Sequence, residues 1–156
     1  MSISYSLALA TPLPAEQVAD ALREVGATTG LLDATAQPLG DDTTTTDGTW
    51  VRIVPEHPRP WNPVLEVLGV APTVRVSFRL DKAGDITRQQ DGVVRLALGL
   101  LARVRSDAVL HSDFEVIWLL LRHGELLLNE RDDLWPPNRL ALVAYPYRRE
   151  TRTFPE

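Results

Sequence analysis

"TVRVSFRLDKAGDITRQQDGVVRLALGLLAR", residues 73–103, is the stretch that decides the fold. Its first part alternates apolar and polar side chains from Val74 to Leu80, which is typical of a strand with one buried and one wet face. A short turn follows, and Asp85 is a suitable N-cap for a helix. From Ile86 to Arg103 the apolar residues recur at helical spacing. The stretch therefore predicts a strand and then a helix, each with one apolar face.

The region before this stretch predicts more strands and a second main helix. Alternation from Ile3 onward predicts a strand near the start of the chain. Pro14 suits a first helical turn and Gly26 suits a helix end, so we expect a helix from about Pro14 to Val25. Residues 29–39 predict a weak strand, and residues 40–49 predict a polar loop. A further strand is expected at residues 49–56, and a short helical turn within a proline-rich loop is expected at residues 62–69.

The region after the long helix predicts a hairpin and a last helix. The apolar pattern of residues 108–130 predicts one long strand, a turn at His123-Gly124 and a return strand. Asp132 or Asp133 is expected to cap a final helix that ends before Pro146. The remaining residues are expected to form a tail.

These elements predict an α+β fold in a single domain over residues 1–156, in the order β-α-β-β-β-α-β-β-α. Runs of strands with helices between them favour this class. We expect one mostly antiparallel sheet with the two main helices packed on one face. A chain of 156 residues can bury a sizeable core without metals or disulfides.

Composition argues against several classes of protein. The net charge of −5 is unfavourable for general nucleic-acid binding and better suited to a basic protein partner. The chain has no cysteine, which excludes disulfides, thiolate metal sites and cysteine nucleophiles. No apolar run approaches the roughly 18 residues of a membrane helix. The alternating start, without a preceding Lys or Arg, is not typical of a signal peptide. We therefore expect a cytoplasmic protein.

His111, Asp113 and Glu115 alternate along the predicted long strand and are the candidate metal ligands. Side chains two residues apart share a strand face and lie about 6.5–7 Å apart. Two of them, with a third residue from elsewhere, would suit zinc or manganese, which gives the alternative hypothesis of a small metal-dependent enzyme. The other interpretation is a polar, half-exposed strand end. Motifs for zinc proteases, nucleophile elbows and phosphate loops do not occur, so we expect no cofactor and favour a non-enzyme.

Acidic side chains in two segments are the candidates for a partner surface. Adjacent aspartates before a helix are also common as caps and dipole partners. Trp135 is either an exposed anchor or a residue that packs against the sheet edge, and Trp61 has the same two interpretations. A ligand-binding module with a tryptophan at the contact is therefore a further alternative. The candidate partner-binding residues are Asp41, Asp42, Asp47, Glu130, Asp132, Asp133 and Trp135.

Arg75 and Arg79 point away from the predicted buried face of their strand, with Ser77 between them. Two arginines at this spacing can hold a phosphate or a carboxylate. Arginines on a strand also commonly pair with acids on a neighbouring strand. Both interpretations stay open at this point.

Four segments together resemble one known family. They are "MSISYSLALATPL" (1–13), "RVSFRLDK" (75–82), "DAVLHSDFEVIWLLLRHGELLLNERDDLWPP" (107–137) and "YPYRRETRTF" (145–154). In this order they resemble the immunity proteins of the myxobacterial swarm-inhibition (Sit) lipoprotein toxins, a family widespread in actinobacteria. The block "NERDDLWPP" is the most distinctive part.

The resemblance implies a protein that binds a cognate toxin and blocks it without catalysis. It transfers no catalytic or binding residue to this chain. The acidic side chains listed above would then face a basic surface of the toxin, because complementary charge accelerates capture.

Overall fold

The computed structural model describes residues 3–57, 59–112 and 114–154. These residues form eight strands and four helices. The strands are β1 (Ile3–Ala10), β2 (Thr43–Thr44), β3 (Trp50–Pro55), β4 (Val74–Leu80), β5 (Asp107–Ser112), β6 (Val116–Arg122), β7 (Glu125–Leu128) and β8 (Tyr147–Arg149). The helices are α1 (Ala15–Thr29), α2 (Pro63–Leu68), α3 (Ile86–Arg103) and α4 (Pro137–Leu140).

All eight strands belong to one sheet in the order β2-β3-β4-β1-β5-β6-β7-β8. Neighbouring strands are antiparallel except β7 and β8, which run parallel. The α+β class and the mostly antiparallel sheet are therefore confirmed. The predicted order of elements is only partly right. The structure contains β2 and β8 as additional strands, and the predicted short helical turn is a full helix, α2.

One face of the sheet carries the main core, to which α1 and α3 contribute. The four alternating apolar residues of β4 are buried, as the pattern predicted. Asp85 caps α3, and its side chain accepts a hydrogen bond from the backbone N–H of Arg88 at 3.0 Å. The core joins both helices to β1, β3, β4, β5, β6 and β7. Its fully buried large members include Leu7, Leu9, Leu22, Ile53, Phe78, Leu96, Leu100, Leu110, Leu119 and Leu128.

The opposite face is divided into an apolar half and a polar half. Val64 and Leu68 of α2, together with Val70, form a second cluster with Val109, Leu120 and other residues of the central strands. The outward-facing side chains of β3 and β4 belong to neither apolar cluster of the described chain. This part of the sheet carries polar and charged side chains, as expected for a face that stays in water.

The predicted long strand is wrong. The chain reverses between Ser112 and Val116, so that β5 and β6 are antiparallel neighbours. Phe114 has a φ of 58° in this turn, and the N–H of Glu115 donates to the carbonyl of Ser112 at 2.8 Å. The apolar alternation continues across the turn, which is why periodicity alone does not reveal it.

The predicted strand at residues 29–39 is also wrong, since this segment contributes only an isolated bridge between Leu39 and Ile53. Helix α1 continues past Gly26 to Thr29 and ends at Gly30, whose φ is 75°. A left-handed residue at this position is the common way to end a helix, and glycine adopts it without a steric penalty.

The final helix has four residues and no side-chain cap, so neither Asp132 nor Asp133 caps it. Arg139 fixes it instead. Its Nε donates to a carboxylate oxygen of Asp91 on α3 at 2.5 Å, and its guanidinium donates to the Leu134 carbonyl at 3.0 Å. The segment that precedes α4 is thereby bound to α3 through an ion pair whose arginine is buried and whose aspartate is partly exposed.

No helix among the described residues is long and apolar enough to cross a membrane.

The two main helices meet at Gly99. A Cβ atom on Gly99 would lie 2.5 Å from Cγ1 of Val25 on α1, a distance at which either the Val25 side chain or one of the helices must shift. A Cβ atom on Gly92, in the same helix, would lie 3.5 Å from Asp47 and 3.6 Å from Leu31, which is ordinary contact. Close packing therefore explains the glycine at position 99 but not the one at 92.

Gly99→Ala and Gly92→Ala are expected to change stability in opposite directions. Overpacking at position 99 should lower the free energy of unfolding by about 1–3 kcal/mol, despite the better helix propensity of alanine. At position 92 the propensity term acts alone and should raise it by up to about 1 kcal/mol. Urea denaturation of both variants measures this difference. Equal effects of the two changes would contradict the proposed helix contact.

Candidate functional site

The structure does not bring the acidic candidates together. Asp41 and Asp42 lie beside β2, whereas Glu130, Asp132 and Asp133 follow β7. The sheet order separates β2 from β7 by six strand positions, or about 29 Å at the usual strand spacing. These residues form two separate patches.

Several of the acidic side chains already have partners within the chain. Asp47 forms a 2.8 Å ion pair with Arg88, and its side chain is only 8% exposed. Asp133 accepts hydrogen bonds from two nitrogens of Arg131, which lower the pKa of this carboxyl below its usual value.

Other members of the set remain open to solvent. Glu130 accepts a hydrogen bond from the N–H of Thr151 at 3.2 Å. Asp41, Asp42 and Asp132 are exposed and make no ion pair with the described residues. These three are the carboxylates of the set that are available to a partner.

Trp135 is not a surface residue. It is 1% exposed, and its indole N–H donates to the Trp118 carbonyl at 2.8 Å. The expectation of a partner-binding anchor at this position is therefore wrong, and the alternative of packing against the sheet is correct. Trp61, in contrast, is 67% exposed. The stretch 126–140 is thus mainly a junction fixed by buried contacts.

The candidate metal ligands do not converge. His111 is in β5, but Glu115 lies beyond the end of that strand in the turn and is exposed. Asp113 lies outside the described residues. Within the described ranges, no group of three or more His, Asp or Glu side chains is arranged to hold a metal ion. The prediction that Glu115 shares a strand face with His111 is wrong, because the chain turns between them.

His111 is a buried neutral residue. It is 2% exposed, packs against Phe114 and Phe154, and its Nδ1 accepts a hydrogen bond from the Phe114 N–H at 3.1 Å. Burial, and then the positive charge of Arg75, lower the pKa of His111 from 6.5 to about 4. This packing fixes the turn after β5.

The most unusual surface is a group of three arginines on the polar half of the sheet, here called the arginine face: Arg52, Arg75 and Arg79. They line an open depression of about 360 Å³ that also includes Ser4, Asp42, Trp50, Val54 and Ser77. Strand register brings them together, because Arg52 lies opposite Ser77 and so diagonal to both Arg75 and Arg79. Diagonal neighbours on a sheet are about 7–8 Å apart, within reach of long side chains.

These arginines do not pair with acids on neighbouring strands. The residues opposite Arg75 are Val54 and Ala8, and those opposite Arg79 are Trp50 and Ser4. No described carboxylate lies within ion-pair distance of the three guanidinium groups. Three like charges in one depression repel each other, so this arrangement is unfavourable for the chain alone.

Arg75 has an additional unsatisfied group. Its Nε is buried from solvent and makes no hydrogen bond to a described atom. Leaving such a donor unpaired costs about 1–3 kcal/mol. Arg79 is held differently, since its guanidinium lies 4.6 Å from the ring centroid of Trp50, which is 43% exposed. The depression thus presents fixed cationic donors beside an exposed aromatic ring.

Sequence reasoning identified Arg75 and Arg79 but missed Arg52 and Trp50 as members of this site. Both alternate within β3 in a pattern visible in the sequence. Their juxtaposition with Arg79 depends on the β3–β4 register, which the sequence does not reveal. Arg139 was missed for a similar reason, since its partner Asp91 lies on a distant helix.

The chain belongs to the SitI3-like family, whose model matches residues 3–139. The expected family is thereby confirmed, and its name indicates an immunity protein. No curated protein and no solved structure matches the chain.

His111→Gln should make the protein less sensitive to acid. The folded-state pKa of His111 lies below its unfolded value of 6.5, so its contribution to stability is complete above that pH and is lost as the pH falls toward 4. Between pH 7 and pH 5 the free energy of unfolding should fall by about 2 kcal/mol more in the parent protein than in the variant. Urea denaturation at both pH values measures this. A stability difference that does not change with pH would contradict the buried neutral histidine.

Proposed function

We propose that this SitI3-like protein is an immunity protein that neutralises a cognate toxin by binding to it, without a catalytic step. Membership of the family over residues 3–139 is the observation that carries the proposal. The protein acts in the cytoplasm of the cell that must survive the toxin, and nucleic acid is not its target.

The architecture suits a binding role. Eight strands in one sheet, with a continuous core under α1 and α3, give a rigid scaffold. Rigid partners lose little conformational entropy on association, which favours tight complexes. The charged side chains on the surface of such a scaffold have fixed positions relative to one another. An inhibitor that acts by binding needs charged groups in fixed positions and does not need a catalytic centre.

Charge supports one further element of the proposal. The net charge of −5 and the exposed carboxylates of Asp41, Asp42 and Asp132 favour encounter with a toxin that has a basic region. Glu130 and Asp133 are close to Asp132 in the sequence and belong to the same patch. Such steering acts mainly on the association rate and weakens as salt is added.

We expect a toxin gene beside the gene of this protein, and the direct test uses the toxin that it encodes. Production of that toxin alone should stop the growth of a heterologous host, and co-production of this protein should restore growth. The two purified proteins should form a complex in size-exclusion chromatography and calorimetry. Absence of a complex together with absence of protection would contradict the proposed function.

Asp132→Lys should slow the association with the toxin. Reversal of an exposed charge at the rim of an interface lowers the association rate, here by an expected factor of about 3–10 at low salt, with a smaller effect at high salt. Glu66→Lys makes the same charge change on α2 and serves as the control. Stopped-flow or biosensor kinetics at two salt concentrations measure both variants. Equal association rates for the two variants would show that the Asp132 patch is not part of the interface. They would not contradict the immunity role.

A further inference from the structure

We propose that the arginine face is the docking surface for an acidic segment of the toxin. This inference rests on the proposed function and names the chemistry of the partner at one surface. Arg52, Arg75 and Arg79 converge there without an ion pair to any described carboxylate. Carboxylates are the natural complement of guanidinium groups, because planar bidentate pairs satisfy two donors at once.

The unpaired state of these groups is the first reason to expect a ligand. The chain has 21 acidic residues against 16 basic ones, so partners for the three arginines are plentiful elsewhere in the protein. Several arginines at other positions form ion pairs, among them Arg88, Arg131, Arg139 and Arg148, and the arginine face differs in that three arginines without an ion pair share one depression. An external carboxylate at the arginine face would relieve the mutual repulsion of the three guanidinium groups.

The spacing of the arginines fits an extended polypeptide. Arg75 and Arg79 are four residues apart on β4, or about 13 Å, and Arg52 lies between them on the neighbouring strand. An extended segment along β4 places alternate side chains about 6.5–7 Å apart on the side that faces the sheet. Acidic residues at alternate positions would therefore each meet one arginine.

The other lining groups favour a polypeptide over a free anion or a nucleic acid. The exposed ring of Trp50 and the side chain of Val54 add apolar contact area, and Ser4 and Ser77 add hydroxyl groups. Asp42 also lines the depression, so the carboxylates of an acidic segment would have to lie toward the arginines and away from Asp42. A net charge of −5 further disfavours nucleic acid, whose binding depends on many cationic contacts.

The first arm of the test is an NMR titration of the whole protein with a peptide of sequence Ser-Glu-Ser-Glu-Ser-Glu. The Nε–H signals of Arg75 and Arg79 and the indole signal of Trp50 should shift. A peptide with Gln in place of Glu should bind at least about tenfold more weakly, because it lacks the charge. Peptide-induced shifts elsewhere, or tighter binding of inorganic phosphate or oligothymidine than of the peptide, would overturn the proposal.

The second arm uses two matched variants and the toxin itself. Arg52→Gln combined with Arg79→Gln removes two exposed charges from the arginine face. Arg95→Gln combined with Arg105→Gln removes two exposed charges outside it. The first pair should raise the Kd for the toxin at least about tenfold, and the control pair should leave it nearly unchanged. Circular dichroism checks that both variants remain folded.

The outcomes separate this inference from the proposed function. Equal Kd values for the parent protein and the Arg52/Arg79 variant would overturn the acidic docking segment and leave the immunity role standing. Failure of the parent protein to bind or neutralise the toxin would contradict the immunity role. In that case the peptide arm still decides whether the arginine face binds carboxylates, and the absence of peptide binding would overturn the inference as well.

Discussion

The structure depends on one constraint: the sheet has two faces, and the helices cover only part of them. Helices α1 and α3 share the main core on one face, and their close approach at Gly99 fixes their separation. On the other face, α2 covers an apolar cluster on the central strands. The outward side of β3 and β4 is left for polar side chains. The position of this surface explains why it is polar. It does not explain why three arginines there have no ion pair, and this is the feature on which the proposal of a docking surface is based.

Buried side-chain contacts hold the C-terminal segment and the β5–β6 turn in place. Arg139 closes the C-terminal segment onto Asp91, and Trp135 fills the space beside Trp118. His111 at the end of β5 packs against Phe114 in the following turn and against Phe154. These contacts explain why the charged and aromatic stretch 126–140 is mainly a junction between β7 and α4. They also leave the exposed carboxylates and the arginine face open to another protein.

Local rules predicted the parts of the fold that local forces determine. The alternation in Val74–Leu80 and the cap at Asp85 act over a few residues, and both predictions are confirmed. The β5–β6 turn was missed because the alternation of apolar residues continues through Phe114. The burial of Trp135 and the pairing of Arg139 depend on residues far away in the sequence. Arg75 and Arg79 were visible as candidates, but their clustering with Arg52 required the register of two strands.

We propose that this protein acts by binding the toxin and not by chemically modifying it. The most direct measurement is the residual activity of the toxin as this protein is added in steps, at a toxin concentration well above the Kd. Stoichiometric binding predicts a linear fall in activity that reaches its end point at about one equivalent. Complete loss of activity at a small fraction of an equivalent would contradict the account, because each molecule would then have inactivated many toxin molecules.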